Sequence, residues 1–188
     1  MGCNASSTVV TTGPGGEPVE TPGKPTKSQP IATPPLITPK KSLTLAFELE
    51  DIQSRYSSET LQIFSFVTAA NWGEMKQLAN PPAEVKSLME IVSAIAPSPG
   101  KLGWGAALHF LNNPTPVEIR LSNICLADID KKVVSNAKSL YKSTSSALKP
   151  FEDKTHNLMA CVQLFSWLAA WQKYLEQIEQ TRKTYDEW

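Results

Sequence analysis

Two adjacent prolines decide how this chain can fold. Pro81 and Pro82 stand between two helical patterns. Each lacks an N–H and crowds the turn before it, so neither fits a helix interior. The residue before a proline is pushed toward extended conformation, so a helix arriving at Ala79-Asn80 should end there. Pro82 suits the first position of a new helix, where its fixed φ is already helical. Upstream, Leu45, Leu49, Ile52, Tyr56, Ile63 and Phe66 recur at spacings of three, four or seven. Downstream, Val85, Leu88, Met89, Val92 and Ile95 repeat at three and four, as in a short amphipathic helix. The expectation is one long helix over 43–79, with Ser57-Ser58 and Gly73 as its weak points, and an offset second helix over 82–96.

The same periodicity organises the rest. Cys161, Leu164, Leu168, Trp171, Leu175, Ile178, Arg182 and Tyr185 alternate three and four apart, which is a heptad seam. Between the break and this seam, turn residues divide the chain into three further helices over about 102–111, 116–130 and 131–148. The second of these should turn Val117, Leu121, Ile124, Cys125 and Ile129 inward, and the third Val133, Ala137, Leu140 and Tyr141. Pro150 closes that helix and Phe151 opens the last one. No stretch alternates with period two over a useful length, so the fold class expected is all-α.

The N-terminal region is of another kind. Residues 7–42 hold eight of the fifteen prolines and four of the nine glycines. Such a segment buries too little apolar surface to offset its chain entropy, so residues 1–42 read as a disordered tether. Met1-Gly2-Cys3-Asn4-Ala5-Ser6 fits N-myristoylation at Gly2, and Cys3 beside it suits S-palmitoylation. One myristoyl chain holds only marginally to a bilayer, so the second acyl chain makes the anchor stable. No apolar signal-peptide core follows Met1, which points to the cytoplasmic face of a membrane.

Catalytic patterns are scarce. His109 and His156 are the only histidines, and neither lies in a metal or nucleophile pattern. Gly23-Lys24 is followed by Pro25, and position 18 is proline where a phosphate-binding loop needs glycine. Cys125 and Cys161 read as small core residues, since three cysteines without zinc-type spacing build no disulfide framework. Formal net charge is zero, so a nucleic-acid partner is not expected. Neither are an enzymatic activity, a bound nucleotide, a cofactor or a metal. Lysines nevertheless cluster: residues 131–149 carry Lys131, Lys132, Lys138, Lys142 and Lys149 with no acid. Lys131, Lys138 and Lys142 fall along one outer face of their helix, and Arg120 lies outside the apolar face of its own.

Glu74 through Pro82, followed by Val85-Lys86 and Met89-Glu90, resembles the dynein heavy chain where the outgoing strand of its stalk coiled coil meets the microtubule-binding head. Phe151-Glu152 and Met159-Ala160-Cys161 through Trp167, Ala170 and Tyr174 resemble the last helix of that head, which returns as the second stalk strand. The two motifs stand in the order and at the separation the head requires, and the resemblance covers residues 60–188. It implies a short antiparallel coiled-coil stalk capped by a small helical bundle: a first stalk helix over 43–79, head helices over 80–150, and a last helix over 151–188. Strands of roughly 25–35 residues at ~1.5 Å rise would make a stub of about 40–50 Å.

That resemblance also implies a ligand. Tubulin's surface is acidic, so a head that binds it presents cations from several short helices. Lys86 matches a lysine that the dynein head turns to the microtubule. At the start of the last helix the family has basic residues. There this chain keeps Glu152 but has Asp153 and His156, with Lys154 displaced by one. The candidate microtubule contacts are therefore Lys86, Arg120, Lys131, Lys138, Lys142, Lys154 and His156. The function implied is a non-motor link between microtubules and a plasma or flagellar membrane. The alternative is a membrane-tethered interaction adaptor that keeps the fold without tubulin.

Overall fold

A computed structural model describes residues 39–96 and 103–186. Among these residues it forms eight helices and no strand: α1 (Pro39–Phe64), α2 (Ala69–Lys76), α3 (Ala83–Ile95), α4 (Trp104–Leu111), α5 (Val117–Ser122), α6 (Lys131–Thr144), α7 (Lys149–Glu152) and α8 (Met159–Asp186). The fold is all-α. Gly2, Cys3 and the expected tether lie outside the described residues, apart from its last turn, 39–42, which opens α1.

α1 and α8 form the frame and run in opposite directions. Tyr185 near the end of α8 donates to Glu48 near the start of α1 (2.8 Å). Further along, Lys173 and Tyr174 both donate to Glu59 (2.7 Å each). Trp167 Nε1 reaches the Tyr56 hydroxyl (2.9 Å). On α8 the seam residues Cys161, Leu164, Leu168, Trp171, Leu175 and Ile178 are all buried. Arg182 is exposed, its guanidinium bonded to the Ala127 carbonyl (2.6 Å). The buried stripe is wider than a two-helix seam, since Trp167, Ala170 and Tyr174 are buried too. Trp167 and Tyr174 meet Tyr56 and Glu59 of α1, and α2, α3 and α7 also pack on α8.

The first helix is shorter than expected, and it breaks elsewhere. α1 runs through Ser57-Ser58 and stops at Phe64. Four residues later Thr68 restarts the chain with a reciprocal cap. Its hydroxyl accepts from the Asn71 N–H (3.3 Å), and the Asn71 side chain accepts from the Thr68 N–H (2.9 Å). These bonds satisfy N–H groups that a helix start leaves orphaned. Gly73 sits inside α2 without interrupting it.

The proline pair does divide the chain. Pro81 is buried, and Pro82 is extended (φ −56°, ψ 157°) and caps α3 rather than entering it. Val85, Leu88, Met89, Ile91, Val92 and Ile95 then point into the core.

Two other expected helices are cut short. The one expected over 116–130 ends at Ser122, because side chains of α1 capture the carbonyls around that end. Tyr56 donates to Leu121 O (2.8 Å) and Ser57 to Ser122 O (2.8 Å). Gln53 donates to Ile124 O and accepts from Leu126 N–H, at 2.9 Å each. Side chains from a distant helix thus do the capping that a terminus requires. Leu126 is consequently buried; Ile124 and Ile129 are half-buried and pack against the core, whereas Cys125 is exposed, against the expectation. On α6, started by Asp130 accepting from Lys132 N–H (2.8 Å), Val134 and Ala137 are buried, while Val133, Leu140 and Tyr141 are half-buried.

The last helix begins at Met159, not at Phe151. Phe151 belongs to α7, which closes with Lys154 N–H on Phe151 O (3.1 Å) and Thr155 N–H on Pro150 O (2.9 Å). This is a Schellman end, and its left-handed position is held by Lys154 (φ 54°) where glycine is usual.

Candidate partner-binding surface

The proline jog and the α7–α8 turn meet. Glu84, in the first turn of α3, places its carboxylate 3.7 Å from His156 Nε2. The other ring nitrogen of His156 accepts the Leu158 N–H (3.2 Å), and the imidazole lies 4.6 Å from the Phe151 ring. With Nδ1 accepting, the hydrogen of a neutral ring sits on Nε2, facing Glu84. The His156 side chain is only 11 % exposed, so it packs the turn rather than offering a surface cation.

Lys86 stands one turn beyond Pro82, exposed, with its ammonium on the Asn80 side chain (3.2 Å). Beside it a shallow crevice of about 110 Å³ is lined by Met89, Glu90, Trp104 and Ala107. Trp104 Nε1 donates to Leu78 O (3.1 Å) and so ties α4 to the segment entering the proline pair. Nothing in the spacing of the sequence singles out this tryptophan.

Lys154 is exposed in the neighbouring turn. Lys149 bonds both Glu152 (3.3 Å) and Asp153 (3.5 Å), and its pKa is raised, chiefly by the Glu152 hydrogen bond. This corner thus offers Lys86, Lys149 and Lys154 against Glu84, Glu90, Glu152 and Asp153, one carboxylate in excess.

The remaining candidates sit elsewhere. Lys131 and Lys138 line a groove of about 540 Å³ between α6 and the end of α8, floored by Leu126, Leu175 and Ile178. There Lys138 pairs with Glu179 (3.5 Å). Glu179 lies about 30 Å along α8 from its first residue, at 1.5 Å per residue. Lys131 and Lys138 thus line a different crevice from the one beside Lys86. Lys142 is exposed in the last turn of α6. Arg120 donates to Phe110 O (2.6 Å) and Thr115 O (3.0 Å), with its guanidinium 4.0 Å from the Phe110 ring centre. Desolvation lowers its pKa. It closes the α4–α5 loop and is not a free surface charge.

Cys161 lies near Glu84 but is no nucleophile. Burial, then the Glu84 charge, pushes its thiol up to about 12, so the thiolate is scarce at neutral pH. Among the described residues no cluster of His, Cys, Asp and Glu could hold a metal ion, and no helix is long and apolar enough to cross a membrane. No protein-family model matches the chain, and no curated protein matches it.

Proposed function

We propose that the chain is a non-motor microtubule-binding protein, held at the cytoplasmic face of a membrane by acyl chains on Gly2 and Cys3. One observation carries this reading. Two segments far apart in sequence, each nominated by the dynein resemblance, meet at the Glu84–His156 contact with Lys86 exposed beside them. In this reading α1 and α8 serve as the short antiparallel coiled-coil stalk, and α3 to α7 as the head. Lys86 and Lys154 face the acidic polymer, and the arm spans the gap to a plasma or flagellar membrane.

The absence of a net positive charge around Lys86 favours a second reading, a membrane-tethered adaptor that keeps this fold without tubulin. Co-sedimentation of the full chain carrying Gly2→Ala with polymerised tubulin separates the two. The microtubule reading expects binding at low salt that weakens steeply as salt rises, because exposed charges are screened within about 8–10 Å at ordinary ionic strength. Absence of binding at low salt, even after Asp153→Lys removes an exposed tip carboxylate, leaves the adaptor. Position 156 is unsuited to charge restoration, since its side chain is packed against Phe151.

A further inference from the structure

α1 carries a second apolar face, opposite the one it buries. Leu43 (60 % exposed), Phe47 (67 %) and Leu61 (44 %) are three of the six exposed large hydrophobic residues among those described. At 3.6 residues per turn, Leu43, Phe47, Glu50, Ser54, Ser58 and Leu61 fall within about 40° of one line along the helix. The buried Ile52 and Tyr56 lie on the far side. Phe66, 70 % exposed, stands just past the end of the helix.

We propose that this face binds a second copy of the chain, packed antiparallel about a two-fold axis through Ser54. The pattern is self-complementary. Phe47 and Leu61 lie equally far on either side of Ser54, so antiparallel packing sets each copy's Phe47 against the other's Leu61. Leu43 then falls beside the other copy's Phe66. At the centre Ser54 and Ser58 are small and exposed, which lets two helix backbones approach closely. Charge agrees with shape. Asp51 and Arg55, paired within one helix at 3.0 Å, flank the stripe, and the two-fold rotation brings each copy's Arg55 near the other's Asp51. Such a patch, meeting itself across a two-fold, closes a dimer instead of propagating a fibre. An anionic lipid surface fits less well, because Glu50 and Asp51 border the apolar residues.

This inference is independent of the microtubule reading. Its test is sedimentation equilibrium of the full chain carrying Gly2→Ala, so that no acyl group drives association. The expected result is a concentration-dependent monomer–dimer equilibrium. Phe47→Glu with Leu61→Glu should abolish the dimer and leave the far-ultraviolet circular dichroism unchanged, since both side chains are exposed. In a Cys125→Ser background, Ser54→Cys should form a 54–54 disulfide between copies when oxidised glutathione accepts the electrons, as peptide mapping would show. A wild-type chain that stays monomeric at the highest concentration reached overturns the proposal. So does a dimer that survives the two glutamates, or one that forms no 54–54 bond.

Discussion

The α1–α8 pair and the segment from α5 to α7 are held by different forces. Along the pair, six seam positions of α8 are buried, with Trp167, Ala170 and Tyr174 widening the contact, so apolar burial dominates. From α5 to α7 the helices are 6, 14 and 4 residues long. At the end of α5, backbone groups depend on Gln53, Tyr56 and Ser57 of α1. The pair is specified by its own periodicity, whereas the end of α5 is specified by polar side chains more than sixty positions away. Damage should therefore differ in kind: loss of volume in the frame, loss of caps in the segment.

The largest effect is expected in the frame. Trp167→Ala removes a fully buried indole and should cost about 3–5 kcal/mol in chemical denaturation, with cooperative loss of the whole fold. Tyr56→Phe is the corresponding probe of the segment. The Tyr56 hydroxyl accepts from Trp167 and donates to Leu121 O, and burial pushes its pKa well up. Its removal leaves the buried Trp167 Nε1–H unpaired and takes from Leu121 O its shortest bond, for about 1–3 kcal/mol. Hydrogen exchange should then quicken first in residues 117–130. Equal costs for the two variants, with uniform exchange, would erase the contrast.

A smaller effect of opposite sign is expected at the α7–α8 turn. Lys154 holds a left-handed backbone that costs an L-residue about 1–2 kcal/mol. Lys154→Gly relieves that strain but adds freedom to the unfolded chain, so a net gain of about 1 kcal/mol or less is expected, read as a raised melting temperature. No gain would mean that the lysine stem is held by packing.

The smallest effect is electrostatic and belongs to the pair. Hydrogen bonds from Lys173, then Tyr174, lower the Glu59 pKa below its ordinary 4.5. A carboxyl group with a lowered folded pKa contributes stability that is present above the unfolded value. That contribution is lost as pH falls through the lowered one. The Lys173–Glu59 pair is 51 % and 35 % exposed and so screened by solvent, and a few tenths of a kcal/mol is expected. Glu59→Gln should flatten the stability curve below pH 4.5 and leave the fold intact. An unchanged acid limb would assign the pH dependence to other carboxylates.

These differences also explain how much was legible in the sequence. The seam from Cys161 to Ile178 was readable because apolar periodicity is a property of the segment itself, and the proline pair announced the break before α3. The early end of α5 was not readable, since Gln53 and Tyr56 looked like ordinary positions on a distant helix. The restart at Thr68 carried a local signal, a threonine followed three residues later by asparagine, which is weaker than the usual glutamate pairing. At the tip, sequence nominated Lys86 and His156, but burial separates them into an exposed cation and a packed ring. Lys131 and Lys138 shared a helical face as expected. What no spacing revealed is that this face turns toward Glu179.

The most direct test of the function compares charge reversals at the two basic places. Co-sedimentation affinities for polymerised tubulin should be measured at low salt for the Gly2→Ala chain alone, with Lys86→Glu, and with Lys138→Glu. Binding at the proline jog predicts that Lys86→Glu weakens affinity about tenfold, near 1.4 kcal/mol, while Lys138→Glu, in the groove beside Glu179, changes it little. A larger loss from Lys138→Glu than from Lys86→Glu would contradict the placement of the surface at the proline jog, and no binding by any of the three proteins would contradict the microtubule reading itself.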